Sequence, residues 1–165
     1  MRHSMTAQPP KERPVQIRPF AQFFMKLASF GQPTYDLGAT PSGHRSVGII
    51  ADGWIDGDRL KGRVLTGIDY GIRRPDDTHV PDIGLVCETD DGDQFLMSYT
   101  GVIEPWTEVH KARQGEPHDP DIINWKCLMT FQTSATAIEW LNRTQVVARG
   151  SFVDGGIHYW AYELV

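Results

Sequence analysis

Cysteine is scarce in this chain. Its 165 residues hold two, Cys87 and Cys127, each inside an apolar run, so no disulfide framework is expected and both read as buried thiols. Long apolar runs are missing too: no window approaches the ~20 consecutive apolar residues that a bilayer-spanning helix needs. The first fourteen residues lack the apolar centre of a signal peptide and carry Pro9, Pro10 and Pro14 among Lys11, Glu12 and Arg13. That stretch, 1–14, is expected to be a disordered, exposed lead-in, and the cytosol is the expected location. Excess basic charge is absent as well. With a formal net charge of −5 and acidic residues spread along the chain, there is no basic stripe to displace counterions from phosphates, which argues against nucleic acid as a partner.

Chemical signatures are equally sparse. The histidines are His3, His44, His79, His110, His118 and His158, and no two fall at i, i+2 or i, i+4, so spacing offers no compact metal site. His118-Asp119-Pro120-Asp121 lies in a Pro-rich stretch and reads as solvated loop. The run from Asp52 to Asp58 has the Asp-Gly content of a calcium loop, but its alternate oxygens and closing Glu are out of register, and turn formation explains it better. There is no Gly-x-Ser-x-Gly elbow, no phosphate-binding loop and no dinucleotide fingerprint. No metal and no cofactor is expected.

What the chain does have is punctuation. Gly-containing turn signals recur every ten or so residues between short runs rich in β-branched and aromatic residues, the pattern of an all-β barrel or sandwich. The clearest hairpin runs from Thr144 to Val153, turns at Asp154-Gly155-Gly156 and returns from Ile157 to Val165, the Gly pair accepting positive φ at the reversal. A second joins Val80–Thr89 to Gln94–Gly101 through Asp90-Asp91-Gly92. Further strands are expected near 20–30, 34–40, 45–51, 60–67 and 123–131, about nine or ten in all. Residues 102–122, with Pro105, Pro117 and Pro120 among charged groups, read as a long surface loop, a candidate lid. One short helix is expected near 135–142, with Ser134 as N-cap and Ala137, Ile138 and Leu141 toward the core. The length allows one core, hence a single domain over 15–165.

Antiparallel strands in this number must bury one face and manage their edges; closing the sheet into a small barrel does both and leaves room for one small ligand. Aromatics in or beside the strands, among them Tyr99, Trp125 and Tyr159, suit either a core or a ligand wall. Period two sets Asp82, Gly84 and Val86 on one strand face and Ile83, Leu85 and Cys87 on the other. If the polar face looks inward, Asp82 is a desolvated carboxylate suited to general-base work; if it looks outward, it is a strand-edge charge.

Several segments, taken in order, are distinctive: Gly43-His44-Arg45, Asp52-Gly53 with Gly57 and Leu60-Lys61-Gly62 following, Gly67-Ile68-Asp69-Tyr70, Arg74-Pro75-Asp76, then Asp82 ahead of Thr89-Asp90-Asp91-Gly92. They continue through Tyr99-Thr100-Gly101 and close with Phe131, Trp140-Leu141-Asn142, Gly150 and Tyr159-Trp160-Ala161-Tyr162-Glu163. From Phe20 to the C-terminus this pattern resembles the family grouped as domain of unknown function 3237, of the UPF0311 type. The resemblance implies an antiparallel β-barrel of calycin-like (lipocalin-like) shape, an interior that accommodates small molecules, and self-association into a homo-oligomer. The chain departs from the family's usual pattern at Gly84, where members often carry Arg, and in the length of its 102–122 segment.

Three functional readings follow. In the first, the protein is a cofactor-independent isomerase, cyclase or lyase moving a proton on a small aromatic or polyketide-like metabolite. Asp82 or Asp69 is then the base and Arg45 the stabilising cation, with Tyr99, Trp125, Trp140, Asn142 and Tyr159 around the ligand. In the second, the barrel binds such a metabolite without turning it over. In the third, it is a structural subunit that pairs through outer apolar residues such as Ile83, Leu85 and Cys87.

Overall fold

The computed structural model describes residues 11–30 and 33–165. Of the expected N-terminal lead-in, residues 1–10 lie outside the described residues, while 11–16 are exposed and form no helix or strand.

Both expected hairpins form. Strands β10 (Gln145–Val153) and β11 (Gly156–Leu164) reverse at Gly155, whose φ of 80° is open to glycine at no steric cost. The other hairpin is β7 (Asp82–Thr89) with β8 (Gln94–Glu104), reversing at Gly92 with φ 92°. Around these run β1 (Ile17–Leu27), β3 (Gly43–Asp56), β4 (Lys61–Asp69) and β9 (Asn124–Gln132). Every neighbouring pair is antiparallel, and the order β1-β11-β10-β9-β8-β7-β4-β3 returns to β1, so eight strands close into a barrel with no free edge. Three short strands lie outside the ring: β2 (Tyr35–Thr40) on β3, and the pair β5 (Ile72–Arg73) and β6 (His79–Val80), which bridges β3 to β8.

The interior is filled by the alternate residues of each strand. Phe23, Met25, Leu85, Met97, Met129, Val146 and Tyr159 are all essentially inaccessible, and burying each such large side chain contributes about 1.5–3 kcal/mol. On β7 the pattern resolves which face is which: Ile83, Leu85 and Cys87 are buried, while Asp82 is exposed on the outside. The three apolar residues therefore belong to the core and are not an outer pairing surface.

Two expectations about helices are corrected. Residues 102–122 are not one long loop: β8 runs on to Glu104, and a helix, α1 (Trp106–Gln114), follows the cis Glu104–Pro105 peptide. Gly115 at φ 72° closes α1, and a 3₁₀ turn at Pro120–Ile122 leads into β9. Its apolar face is narrow, with Val109 alone fully buried, which is why periodicity did not reveal it. The expected helix near 135–142 is instead two 3₁₀ turns over Thr136–Arg143, broken by a non-helical Ile138. Ser134 does not cap it; the Thr133 hydroxyl accepts the Ala135 N–H instead, and Ala137 faces solvent.

These turns seal one end of the barrel. Ile138 and Leu141 are buried there, and Phe20 packs on Phe131 at 5.6 Å and edge-on to Trp140 at 6.1 Å. At the same end Glu163 is buried and receives both Arg18, at 2.8 Å, and Arg59, at 3.1 Å. The opposite end is overlaid by α1 and the β5–β6 pair.

Candidate functional site

Polar groups gather under α1. Asp69 ends β4, and a bulge between Val64 and Thr66 resets the strand so that Gly67 and Asp69 point inward. A Cβ at Gly67 would lie 2.2 Å from Leu85 Cδ2; only glycine lets Leu85 fill the barrel beside the carboxylate. Asp69 Oδ1 accepts the backbone N–H of Asp82 at 3.1 Å, and Oδ2 stands 3.8 Å from His79 Nε2.

His79 is buried on β6, opposite Arg73 and Ile103. Its ring stacks on Trp106, with centroids 4.3 Å apart and planes 24° from parallel. The turn that carries it is braced locally. Arg74 holds Asp76 at 2.6 Å and draws its carboxyl down to about 2, and Asp76 in turn accepts the Thr78 N–H. Asp77, at φ 61°, accepts from the Thr107 N–H and hydroxyl, and its carbonyl accepts the Trp106 N–H at 2.7 Å. The same five-residue turn thus fixes His79 and the first turn of α1.

Across the cavity stand Tyr99 and Tyr159, both fully buried, with the Tyr99 hydroxyl 3.1 Å from Tyr159 Oη and 3.1 Å from Met25 Sδ. Burial raises both phenols well above 10, so they are neutral hydrogen-bond donors at physiological pH. When Tyr99 donates to Tyr159, the proton of Tyr159 is left for another acceptor. The buried Trp125 indole N–H makes no hydrogen bond of ordinary geometry among the described residues, and it lies beside Tyr159 with ring centroids 6.0 Å apart. Gly150 makes room for both rings, since a Cβ there would fall 2.6 Å from Trp125 Nε1 and 2.8 Å from Tyr159 Cε1. Arg113 of α1 completes the wall; burial lowers its pKa, opposed in part by Asp69.

These groups border one cavity of about 60 Å³, otherwise walled by Met25, Ile50, Ile83, Ile103 and Phe152. It has room for a small planar group. A groove of about 200 Å³ shares its Pro33, Ser46, His79, Trp106 and Arg113 and forms its mouth. A roomier depression, about 680 Å³, is on the outer face of β8, β9 and β10 beside Val102 and Leu128, away from the convergent polar groups. Among the described residues no cluster of three metal-ligating side chains occurs, and no helix is long and apolar enough to cross a membrane.

Of the residues singled out from the sequence, Asp69, Tyr99, Trp125 and Tyr159 meet at this cavity. Asp82 points its carboxylate outward and reaches Asp69 through its backbone N–H. Arg45 donates to the Tyr70 carbonyl on the outer side of the β3–β5 pair. Trp140 and Asn142 belong to the sealed end: Trp140 lies under the Arg59 guanidinium at 4.0 Å, and Asn142 bonds the backbone N–H and carbonyl of Thr133. His79, Trp106 and Arg113 were not anticipated. A signal for His79 existed in the glycine at position 71, where a Cβ would lie 2.4 Å from the imidazole Cε1.

A closed eight-strand barrel with one polar-lined interior site defines the class of protein, and comparison with known proteins places the chain within it. It belongs to the family described as protein of unknown function (DUF3237), whose family model matches residues 17–164. It is 30% identical over 120 residues to a UPF0311 protein of Rhodopseudomonas palustris, covering 72% of this chain and 78% of that one. A UPF0311 protein of Clostridium acetobutylicum is 28% identical over 101 residues, 60% of this chain and 64% of that one. Among solved structures, a beta-barrel like protein from Acinetobacter baumannii superposes with a TM-score of 0.80 at 29% identity, covering 95% of this chain and all of that one. The fold is also similar to that of an enzyme from Penicillium herquei, with a TM-score of 0.68 at 15% identity over 95% and 99% of the two chains.

Proposed function

We propose that this barrel is a cofactor-independent enzyme that transfers a proton on a small aromatic or polyketide-like metabolite whose reacting end enters the interior cavity. The observation that carries the reading is the convergence of a carboxylate and an imidazole, Asp69 and His79 at 3.8 Å, with two neutral phenols on one otherwise apolar space. Asp69 or His79 removes the proton, and Tyr159 with the Trp125 N–H faces the oxygen on which negative charge develops. Free buried thiols at Cys87 and Cys127 suit a cytoplasmic protein.

The test is proton exchange. Native mass spectrometry identifies a small molecule retained by the purified protein, and the complex is then transferred to D2O. Wild-type protein is expected to place deuterium on a carbon of the ligand, and Asp69→Asn to retain the ligand while exchange falls at least ~100-fold. A ligand held by both proteins without exchange in either would make the barrel a carrier instead.

A further inference from the structure

The mouth of the cavity differs in charge from the chain as a whole. Against a net charge of −5, the groove is bordered by Arg73 and Arg113 and by the imidazoles of His44, His79 and His110, with Asp36 the one carboxylate along it among the described residues. Asp36 is already engaged: His44 Nε2 stands 2.7 Å from its Oδ1 and the Gly38 N–H donates to the same oxygen, which together with Arg73 keep its pKa low. Arg73 borders the groove and not the cavity behind it.

Four different elements build this arrangement. Arg73 on β5 is paired in register with His44 on β3 and His79 on β6. On α1, Trp106, His110 and Arg113 follow at i, i+4 and i+7 and so share the face turned to the barrel. Arg113 borders both the cavity and the groove.

We infer that this groove is a carboxylate-binding subsite, and that the molecule worked on in the cavity is an organic acid held by its carboxylate between Arg73 and His110. The inference rests on the reading of the interior cavity as the reacting end. The cavity of about 60 Å³ takes only part of a metabolite, and the adjoining groove with Arg73 and His110 is where the rest of it would lie. A planar guanidinium fork donates two parallel hydrogen bonds to a carboxylate, a match that a neutral amide cannot make.

Matched pairs of probes test this on the intact protein: benzoate against benzamide, and 2-naphthoate against 2-naphthamide, with phenyl phosphate as a third anion. Affinities are read by ligand-observed NMR at low salt and at 0.5 M NaCl. Both acids are expected to bind about tenfold or more tighter than their amides, with the gap narrowing in high salt. Arg73→Gln, at an exposed position, should bring acid and amide to within about threefold while the unfolding midpoint stays put. Equal affinities, no acid binding, an unaltered gap in Arg73→Gln, or a tenfold preference for phenyl phosphate over benzoate would each overturn the assignment. Asp69→Asn separates this from the catalytic reading: it should abolish exchange yet leave the preference for acids intact. A preference that persists in a protein without exchange activity removes the proposed chemistry and keeps the subsite.

Discussion

Replacing Gly71 by Ala tests the seat of His79. The new methyl carbon would lie 2.4 Å from His79 Cε1, 2.5 Å from Nε2 and 3.2 Å from Asp69 Oδ1. Ordinary carbon contacts begin near 3.5 Å, so the imidazole must retreat by roughly 1 Å. Trp106 is stacked 4.3 Å behind it, and Trp106 is tied through its N–H to Asp77, so the retreat is resisted. Overpacking of this kind costs about 1–3 kcal/mol, and the loss of unfolded-state freedom on going from Gly to Ala returns about 0.4–1 kcal/mol. A net destabilisation of about 1–2 kcal/mol is expected. Gly84→Ala is the control: nothing lies within 4 Å of a Cβ at Gly84 on the outer face of β7, so that variant should be neutral or stabilised by up to about 1 kcal/mol. Urea unfolding supplies the free energies, and the imidazole resonances of His79 report whether the ring has moved. If Gly71→Ala proves as stable as Gly84→Ala and leaves those resonances unshifted, the close packing of position 71 against His79 is wrong, and with it the account of how the Asp69–His79 pair is held.

Other expectations are independent of that one. Burial pushes the thiols of Cys87 and Cys127 up to about 12. Both should resist a thiol reagent at pH 8 in the native state and react within seconds in urea; rapid native labelling would contradict their burial. Because these folded values lie above the unfolded one, their contribution to stability is intact below about pH 8.5 and is lost at up to about 1.4 kcal/mol per pH unit per thiol above it. Glu163→Ala leaves the half-exposed Arg18 and Arg59 without their shared carboxylate and should cost about 1 kcal/mol or somewhat more, measured by urea unfolding. Arg18→Ala alone, with Arg59 still in place, should cost less than about 1 kcal/mol. Leu128, 59% exposed on the outer face of β9, is the better position at which to test self-association than buried Leu85. Leu128→Glu should lower the mass seen by light scattering while stability changes by less than about 0.5 kcal/mol. The same single-chain mass for both proteins would rule out pairing through that face.

Most of the barrel was legible because alternation and turn chemistry act locally. The Asp-Gly turns at 90–92 and 154–156 fix their hairpins by backbone conformation alone, and strands β1, β2, β4 and β9 fall close to their expected places. β3 was read too short, since Asp52-Gly53 resembles a turn. In the barrel that glycine serves a different need: a Cβ there would lie 2.1 Å from the Phe24 carbonyl oxygen, so it allows β1 to approach. The site was legible in part. Inward parity along β4, β8, β9 and β11 brought Asp69, Tyr99, Trp125 and Tyr159 together, but the same parity turns Asp82 outward, and the choice between faces depends on closure of the whole ring. His79 and Arg113 reach the cavity from a two-residue strand and from a helix with a narrow apolar face. Neither leaves a periodic trace, and both are positioned by the tertiary bond of Asp77 to Thr107.

The aromatic plug of Phe20, Phe131 and Trp140 has a kinetic meaning for the opposite end. With Leu141 and Ile138 closing the base, a molecule bound in the cavity would enter from the α1 side, where the groove lined by Arg73 and His110 lies. A chamber closed at one end exchanges its occupants in sequence: one leaves before the next enters.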